Sequence, residues 1–438
     1  MGFTKTNLSP RDVYNDPDHI SYAENEKEVL SLSCKWDVTI HDRPGWRSDS
    51  NNHQRLHLLP DGQLGVQIWS TQANRHSNDY WKEHLDDREL ISSDGGETWH
   101  TAEASSLPPQ RAVRTPNGKL ISIWASEIVR PMKERKEHLE RNNLGGFYNE
   151  DWWYQHTLWP ASAREGLIAD GLHVADIPEG LIATIAGLTQ ATSTDNGATW
   201  EYRDITHHFP FHASQIGFFR EPIVSRAGTI LGPSDGRYNP AREPAADIAS
   251  TVYCLRSKND GESWEMITVA RDITGVHDFS EGQIIELPSG RILMMMRHAG
   301  KTRSDRHLYQ SFSDDDGQTW SQAKETPIWG YPPHLLQLRS GALLCTYTHR
   351  RPPYGIRGCL SYDEGRTWNI DNEIIIRDDS VHGGISYPTA VQLDDDSIFV
   401  AYGVNKRSDS SPPEEVIDDI PARRYVAGSR FTEDYVWA

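Results

Sequence analysis

Residues 313–320 read SDDDGQTW, and the same frame, Ser-x-Asp-x-Gly-x-Thr-Trp, returns at 92–99 (SSDGGETW), 193–200 (STDNGATW), 257–264 (SKNDGESW) and 361–368 (SYDEGRTW). The third copy carries Asn259 for Asp and Ser263 for Thr. Each position has a local reason. An Asp or Asn side chain bonds nearby backbone and fixes a turn. The Gly permits positive φ. The Trp starts the next strand and supplies a large apolar plug. Self-similarity of this kind marks a repeat architecture in which each unit buries its faces against its neighbours.

A second pattern alternates with the boxes. Apolar residues flank tight turns at LLPDGQL (58–64), VRTPNGKL (113–120), VSRAGTI (224–230), ELPSGRI (286–292), LRSGAL (338–343) and LDDDSI (393–398), which read as hairpins. Six hairpins and five boxes in alternation predict an all-β chain of six sheets with about four strands each, a six-bladed β-propeller spanning residues 1–438 as one unit. The last blade has no box of its own, so an N-terminal strand is expected to complete it and remove a free edge. The interval from Gly118 to Ser193 is too long for one blade and holds another hairpin pattern, ADIPEGLI (175–182). It reads either as a large insertion at about 128–172 or as a seventh blade. The insertion opens with PMKERKEHLERNN and turns aromatic in FYNEDWWYQHTLWP. Trp152, Trp153, Tyr154 and Trp159 read either as a plug on the rim or as a sugar-stacking wall.

Composition narrows the function. A net charge of −19 repels nucleic-acid phosphate, so no nucleic-acid partner is expected. The longest apolar runs, such as Ile292 to Met296, are strand-sized, so no membrane span is expected. MGFTKTNLSPRDVYND lacks the apolar core of a signal peptide; the chain as given reads as cytoplasmic unless a leader was trimmed. The four cysteines, Cys34, Cys254, Cys345 and Cys359, are irregularly spaced and read as buried thiols. The 19 histidines show no ligand spacing, so neither metal nor cofactor is expected. Oligomeric state stays open.

The order of these motifs resembles the exo-sialidase glycoside hydrolases, Asp-box propellers, over most of the chain. That family holds a sugar carboxylate with three arginines, attacks with a tyrosine paired to a glutamate, and uses an aspartate as acid and base. The resemblance implies Arg55 in HQRLHLLPDG as the first arginine, although Leu56 and His57 stand where the family has Ile-Pro. It implies Asp79 in NRHSNDYWKE as the acid, with Asp86 and Asp87 as rivals. Glu281 in FSEGQIIELPSGRI, Arg297 in MMMRH and Arg357 in YGIRGCLSYDEGRTW follow in family order. Tyr387 in GGISYPTAVQL takes the nucleophile's place, with Pro388 where the family has Ser; Tyr331 in WGYPPHLLQL repeats the same Tyr-Pro start one blade earlier. Arg220 in FFREPIV, Arg237, Tyr238, Arg350 and Arg351 crowd equivalent inner positions and predict a channel more cationic than the net charge.

Three functions fit. The first is an exo-acting glycosidase on a terminal acidic sugar, with a carboxylated carbohydrate as partner. The second is a polysaccharide lyase or rhamnosidase-type enzyme on uronic-acid glycans, in which His53, His57, His212 and Tyr331 matter more than Asp79. The third is a non-catalytic glycan-binding propeller.

Overall fold

The structure is a computed structural model, and it describes residues 37–41, 54–68, 88–102, 112–131, 181–205, 220–236, 251–272, 276–299, 306–407, 415–417 and 420–433. The strands form six antiparallel sheets, one per blade. The first runs Gln54–Leu58, Leu64–Ile68, Arg88–Ser92 and His100–Thr101. The second runs Val113–Arg114, Leu120–Pro131, Leu181–Ser193 and Glu201–Asp204. The third runs Ile223–Val224, Ile230–Gly236, Thr251–Ser257 and Glu265–Ala270. The fourth runs Asp278–Glu286, Ile292–Ala299, His307–Ser313 and Lys324–Trp329. The fifth runs Pro333–Gln337, Leu343–His349, Tyr354–Ser361 and Ile374–Ser380. The sixth joins Thr389–Gln392, Ile398–Arg407 and Ile420–Phe431 to the N-terminal strand Asp37–His41. That last pairing closes the ring as expected from the missing sixth box.

The six-bladed reading holds, and among the described residues no seventh sheet forms. Leu120–Pro131 pairs with Leu181–Ser193 along its whole length, with one bulge between Ser126 and Glu127, so Leu181 and Ile182 of ADIPEGLI are the start of a long third strand. Residues 128–131, placed in the insertion by sequence, extend the second strand instead. A twelve-residue strand gains backbone hydrogen bonds along a long antiparallel pairing, which a local turn pattern cannot outweigh. The excursion leaves the sheet after Pro131; the remainder of the insertion, with Trp152 and Trp153, lies outside the described residues.

Stacking explains the strand composition. Middle strands such as Thr251–Ser257 and Leu343–His349 are buried along their whole length, because blades cover both of their faces. They therefore read as apolar runs, whereas the outer strand Glu265–Ala270 is half exposed. Five apolar clusters each draw on two adjacent blades; one joins Leu56, Leu64 and Val66 of the first blade to Phe399, Ala401 and Val426 of the sixth.

The boxes pin one blade to the next. In the fourth-blade copy, Ser313 Oγ donates to Asp315 Oδ1 at 2.8 Å, Gly317 N–H donates to Ser313 Oγ at 2.9 Å, and Thr319 N–H donates to Asp315 Oδ1 at 2.8 Å. Thr319 Oγ1 also donates to Asp315 Oδ2 at 2.6 Å, and this bond first, with those from Thr319 N–H and Ser313 Oγ, holds the Asp315 carboxyl down at about 2. The turn takes two left-handed residues, Asp316 at φ 59° and Gly317 at φ 78°. The Gly also permits contact, since a Cβ on Gly317 would stand 2.7 Å from Leu231 of the third blade. The box is thus a blade-to-blade joint as well as a turn.

Candidate active site

Antiparallel order separates two faces of the ring. The inner strand of each blade runs into its hairpin, and the third strand runs into its box, so hairpins and boxes share one face. The opposite face collects the starts of inner strands and the ends of second strands. Arg220, Glu281, Tyr331 and Tyr387 come from inner-strand starts. Asp235, Arg297 and Arg350 come from the ends of second strands.

Glu281 stands at the centre. Ser280 faces Arg297 and Gln283 faces Met295 across the hairpin, so Glu281 and Gly282 together oppose the single residue Met296. This bulge sets Glu281 at φ 52°, a left-handed conformation that non-glycine residues rarely adopt and that is retained where function requires it. Gly282 makes the kink possible: a Cβ there would lie 2.9 Å from Met294 Sδ and 3.2 Å from Val252.

Tyr387 Oη donates to Glu281 Oε1 at 2.7 Å, and Arg297 Nη1 donates to the same oxygen at 2.6 Å. Tyr387 is 5% exposed and Glu281 8%, so the bonds are shielded from water. Burial, then the Glu281 carboxylate, pushes the Tyr387 phenol well above its ordinary range. The resting phenol keeps its proton and has an acceptor in hydrogen-bond contact. Glu281 Oε2 is buried with no hydrogen-bond partner among the described residues.

Cations surround the pair. The Arg220 guanidinium lies 4.9 Å from the Tyr387 ring centre and donates to the Pro333 carbonyl at 2.6 Å. Arg297, Arg350 and Arg306 lie 4.5, 5.0 and 5.3 Å from the ring centre of Tyr331. Arg306 Nη1 also donates to Tyr331 Oη at 3.1 Å, and Arg350 Nη2 donates to the Ile385 carbonyl at 2.8 Å. Arg55 is paired with Glu221 at 2.9 Å. Burial disfavours the Glu221 charge, but Arg55 and Arg220 outweigh it and hold the carboxyl well below its ordinary value. His334 and His57 are lowered to about 4, chiefly by burial, and are neutral near pH 7. Several guanidinium nitrogens here are buried without a partner among the described residues: Arg55 Nη1, Arg220 Nε, Arg297 Nε and Arg306 Nε. Buried donors of this kind are normally satisfied, so the cluster is built to receive acceptors.

The structure therefore brings together Glu281, Arg297, Tyr387, Tyr331 and Arg220, with Arg55 reached through Glu221. Tyr331 and Tyr387 are not equivalent despite their shared Tyr-Pro start, since Tyr387 donates to the carboxylate and Tyr331 accepts from an arginine. Arg357 requires a correction. It is 1% exposed, donates from Nη1 to the Arg377 carbonyl at 2.6 Å, and pairs with Glu373 at 3.6 Å. It belongs to the interior of the fifth blade because Arg357 faces Ile375 within the ladder, whereas Arg350 follows the end of a strand and is free to turn inward. Arg350 takes the position expected of Arg357. Asp79, His53 and His212 lie outside the described residues, as do Arg237 and Tyr238.

Sequence reading missed Asp235, Arg306 and His334 altogether. Asp235 lies at the end of the second strand of the third blade and faces Val252, the residue of that blade nearest to where a Cβ on Gly282 would stand. Its only signal was position, in SDGRY (234–238), at the strand end equivalent to Arg297. Among the described residues no cluster of three or more His, Cys, Asp or Glu could hold a metal ion, and no helix is long and apolar enough to cross a membrane.

Comparison with known proteins agrees with this architecture. Residues 181–400 match the family model of the BNR repeat-like domain, and residues 90–101 match the BNR/Asp-box repeat. A sialidase of Paraclostridium sordellii is 24% identical over 198 residues, which is 41% of this chain and 48% of that protein. The chain thus matches about half the length of this curated relative. Among solved structures, a Dyadobacter fermentans protein of unknown function aligns with a TM-score of 0.56 at 19% identity, over 91% of this chain and 98% of that one. An intramolecular trans-sialidase from Ruminococcus gnavus aligns at 0.52 and 14% identity, over 92% and 98%. An α-L-arabinofuranosidase from Fusarium graminearum aligns at 0.51 and 10% identity, over 93% and 100%. At these identities the structural likeness is one of fold. Repeats, ring closure and the family match together place the chain in the BNR repeat-like domain family, as a sialidase-like Asp-box propeller.

Proposed function

We propose that the chain is an exo-acting glycoside hydrolase that releases a terminal carboxylated sugar, with a sialoside as the type substrate. The observation that carries this reading is the Tyr387–Glu281 hydrogen bond of 2.7 Å, with Arg297 on the same carboxylate oxygen. A buried tyrosine bonded to a base is an activated nucleophile. A neutral phenol approaches an anionic sugar more readily than a carboxylate would. The five guanidiniums of Arg55, Arg220, Arg297, Arg306 and Arg350 outnumber the acidic groups Glu221, Glu281 and Asp235 around them, so the site attracts an anion in a chain of net charge −19. Arg55, Arg297 and Arg350 are the clamp for the sugar carboxylate.

In the first step Tyr387 Oη bonds to the anomeric carbon as the glycosidic C–O bond breaks. Its proton passes to Glu281, and an acid, assigned to Asp79, protonates the leaving oxygen. In the second, water attacks the anomeric carbon and gives its proton to Asp79. The bond to Tyr387 breaks, and the phenol recovers its proton from Glu281. The test is turnover of a fluorogenic sialoside by the intact chain and by Tyr387→Phe, beside a neutral arabinoside and a uronate glycan. Release of the free acidic sugar that Tyr387→Phe abolishes is the expected result. Undiminished turnover by the variant overturns the assignment.

A further inference from the structure

Arg220 precedes the inner strand of the third blade, in FFREPIV, and its guanidinium reaches across the channel. In a closed ring of six blades the third stands opposite the sixth. The Arg220 guanidinium nonetheless lies 4.9 Å from the ring centre of Tyr387, at the start of the sixth blade, and its Nη2 donates to the Pro333 carbonyl of the fifth at 2.6 Å. Arg220 is 7% exposed and Tyr387 5%, so the two meet out of water. No acid takes up this charge. Glu221 beside it pairs with Arg55 at 2.9 Å, and among the described residues no carboxylate forms an ion pair with Arg220. Arg297 differs, since it is paired with Glu281 at 2.6 Å. A buried cation without an acid partner needs electron-rich neighbours, and here the Pro333 carbonyl and the Tyr387 ring serve.

We propose that Arg220 is a positioning residue that acts through Tyr387: it holds the ring against Glu281 and stabilises the negative charge that gathers on the phenol as its bond to the sugar breaks. This rests on the hydrolase reading above. In the second step the bond between the anomeric carbon and Tyr387 Oη breaks and its electron pair goes to Oη. The oxygen of water bonds to the carbon, and the proton held on Glu281 returns to Oη. Until that proton arrives, the phenol oxygen and its ring carry negative charge. A guanidinium fixed beside the ring opposes that charge without having to reorganise, and the shielded setting strengthens the attraction. The two side chains of the Arg220-Glu221 pair thus divide the work, Glu221 holding Arg55 and Arg220 holding Tyr387.

The test is turnover of a fluorogenic sialoside by the intact chain. The aglycone departs readily, so the second step limits the rate. Arg220→Met keeps the bulk of the side chain and removes its charge. It is expected to lower kcat roughly tenfold and to leave KM within about twofold of wild type. The covalent sugar adduct on Tyr387, followed by intact-protein mass after the substrate is removed, decays more slowly by the same factor. Arg220→Gln, a second neutral variant that keeps a donor, carries the test if Arg220→Met does not fold. Arg220→Lys keeps a cation and restores most of kcat. A lysine variant as slow as the neutral ones overturns the role of the charge. A KM raised roughly tenfold with unchanged adduct decay makes Arg220 a direct ligand of the sugar carboxylate and overturns the proposal. Unchanged kinetics in a neutral variant overturn it as well. Absence of turnover by wild type is a different failure: it removes the hydrolase reading, and this proposal with it.

Discussion

Replacing Gly96 by Ala tests whether the boxes stabilise the ring by contact between blades or only by their turn geometry. Gly96 closes the first-blade box at φ 97°, and a Cβ there would lie 2.3 Å from Phe399 Cε2 of the sixth blade. Phe399 cannot retreat, because a Cβ on Gly428, on its own sheet, would also stand 2.3 Å from its ring; the ring is confined by both glycines. The left-handed conformation alone costs an alanine about 1–2 kcal/mol. Overpacking a confined ring adds about 1–3 kcal/mol. Gly341 is the control: its φ is 94°, and nothing lies within 4 Å of the position a Cβ would take. Unfolding entropy of about 2.1 cal/mol/K per residue converts these costs into a Tm loss of about 2–5 °C for Gly96→Ala and about 1–2 °C for Gly341→Ala, if the closed ring unfolds as one unit. Calorimetry on both variants measures the difference. Equal losses would refute the blade-contact account, since backbone strain is matched between the two sites.

Further predictions concern the site. Tyr387→Phe lowers kcat on a carboxylated glycoside by about a thousandfold or more, and Glu281→Gln by about 10²–10⁴-fold, measured as initial rates on folded protein. Arg350→Ala raises KM for the carboxylated substrate by about 10–100-fold with Tm little changed. Arg357→Ala does the reverse: it takes the cation from the half-buried Glu373, which keeps its hydrogen bond from Tyr347, costs about 1–3 kcal/mol of stability, and leaves KM in place. His334 is lowered from 6.5 to about 4, so the unfolded chain binds its proton first as pH falls. Its contribution to stability is intact above pH 6.5 and is lost between 6.5 and about 4, with a slope of at most about 1.4 kcal/mol per pH unit. Melting curves of His334→Gln should be flatter than wild type over that interval and parallel to it above pH 7.

The reading of Arg357 shows where sequence order stops being a guide. Arg350 and Arg357 lie in the same segment, and both precede the fifth box. What separates them is one strand boundary. Arg357 is inside the ladder and pairs with Glu373 within its blade, while Arg350 lies past the end of Leu343–His349 and donates to Ile385 at the start of the sixth blade. Glu281, Arg297 and Tyr387 were found because each sits at a fixed offset from a hairpin or box, and those offsets survive folding. Asp235 has the same kind of offset but belongs to no shared pattern. Its place beside the bulge of another blade, about 46 residues on, is announced by no local feature of SDGRY.

By itself the sequence determined the repeat, the hairpin register, the missing sixth box and therefore the ring and its closure. These are local matters: turn chemistry at Asp, Gly and Trp positions acts over eight residues, and six such units have one way to bury their faces. It also determined which short segments supply the inner-strand starts. Only the tertiary structure decided which side chains meet there. The bulge at Glu281, the exchange of Arg350 for Arg357, the three guanidiniums around Tyr331 and the placing of Asp235 beside that bulge all join residues of different strands or blades. Such contacts depend on the twist and stacking of sheets around the axis, a property of the closed ring and not of any one repeat.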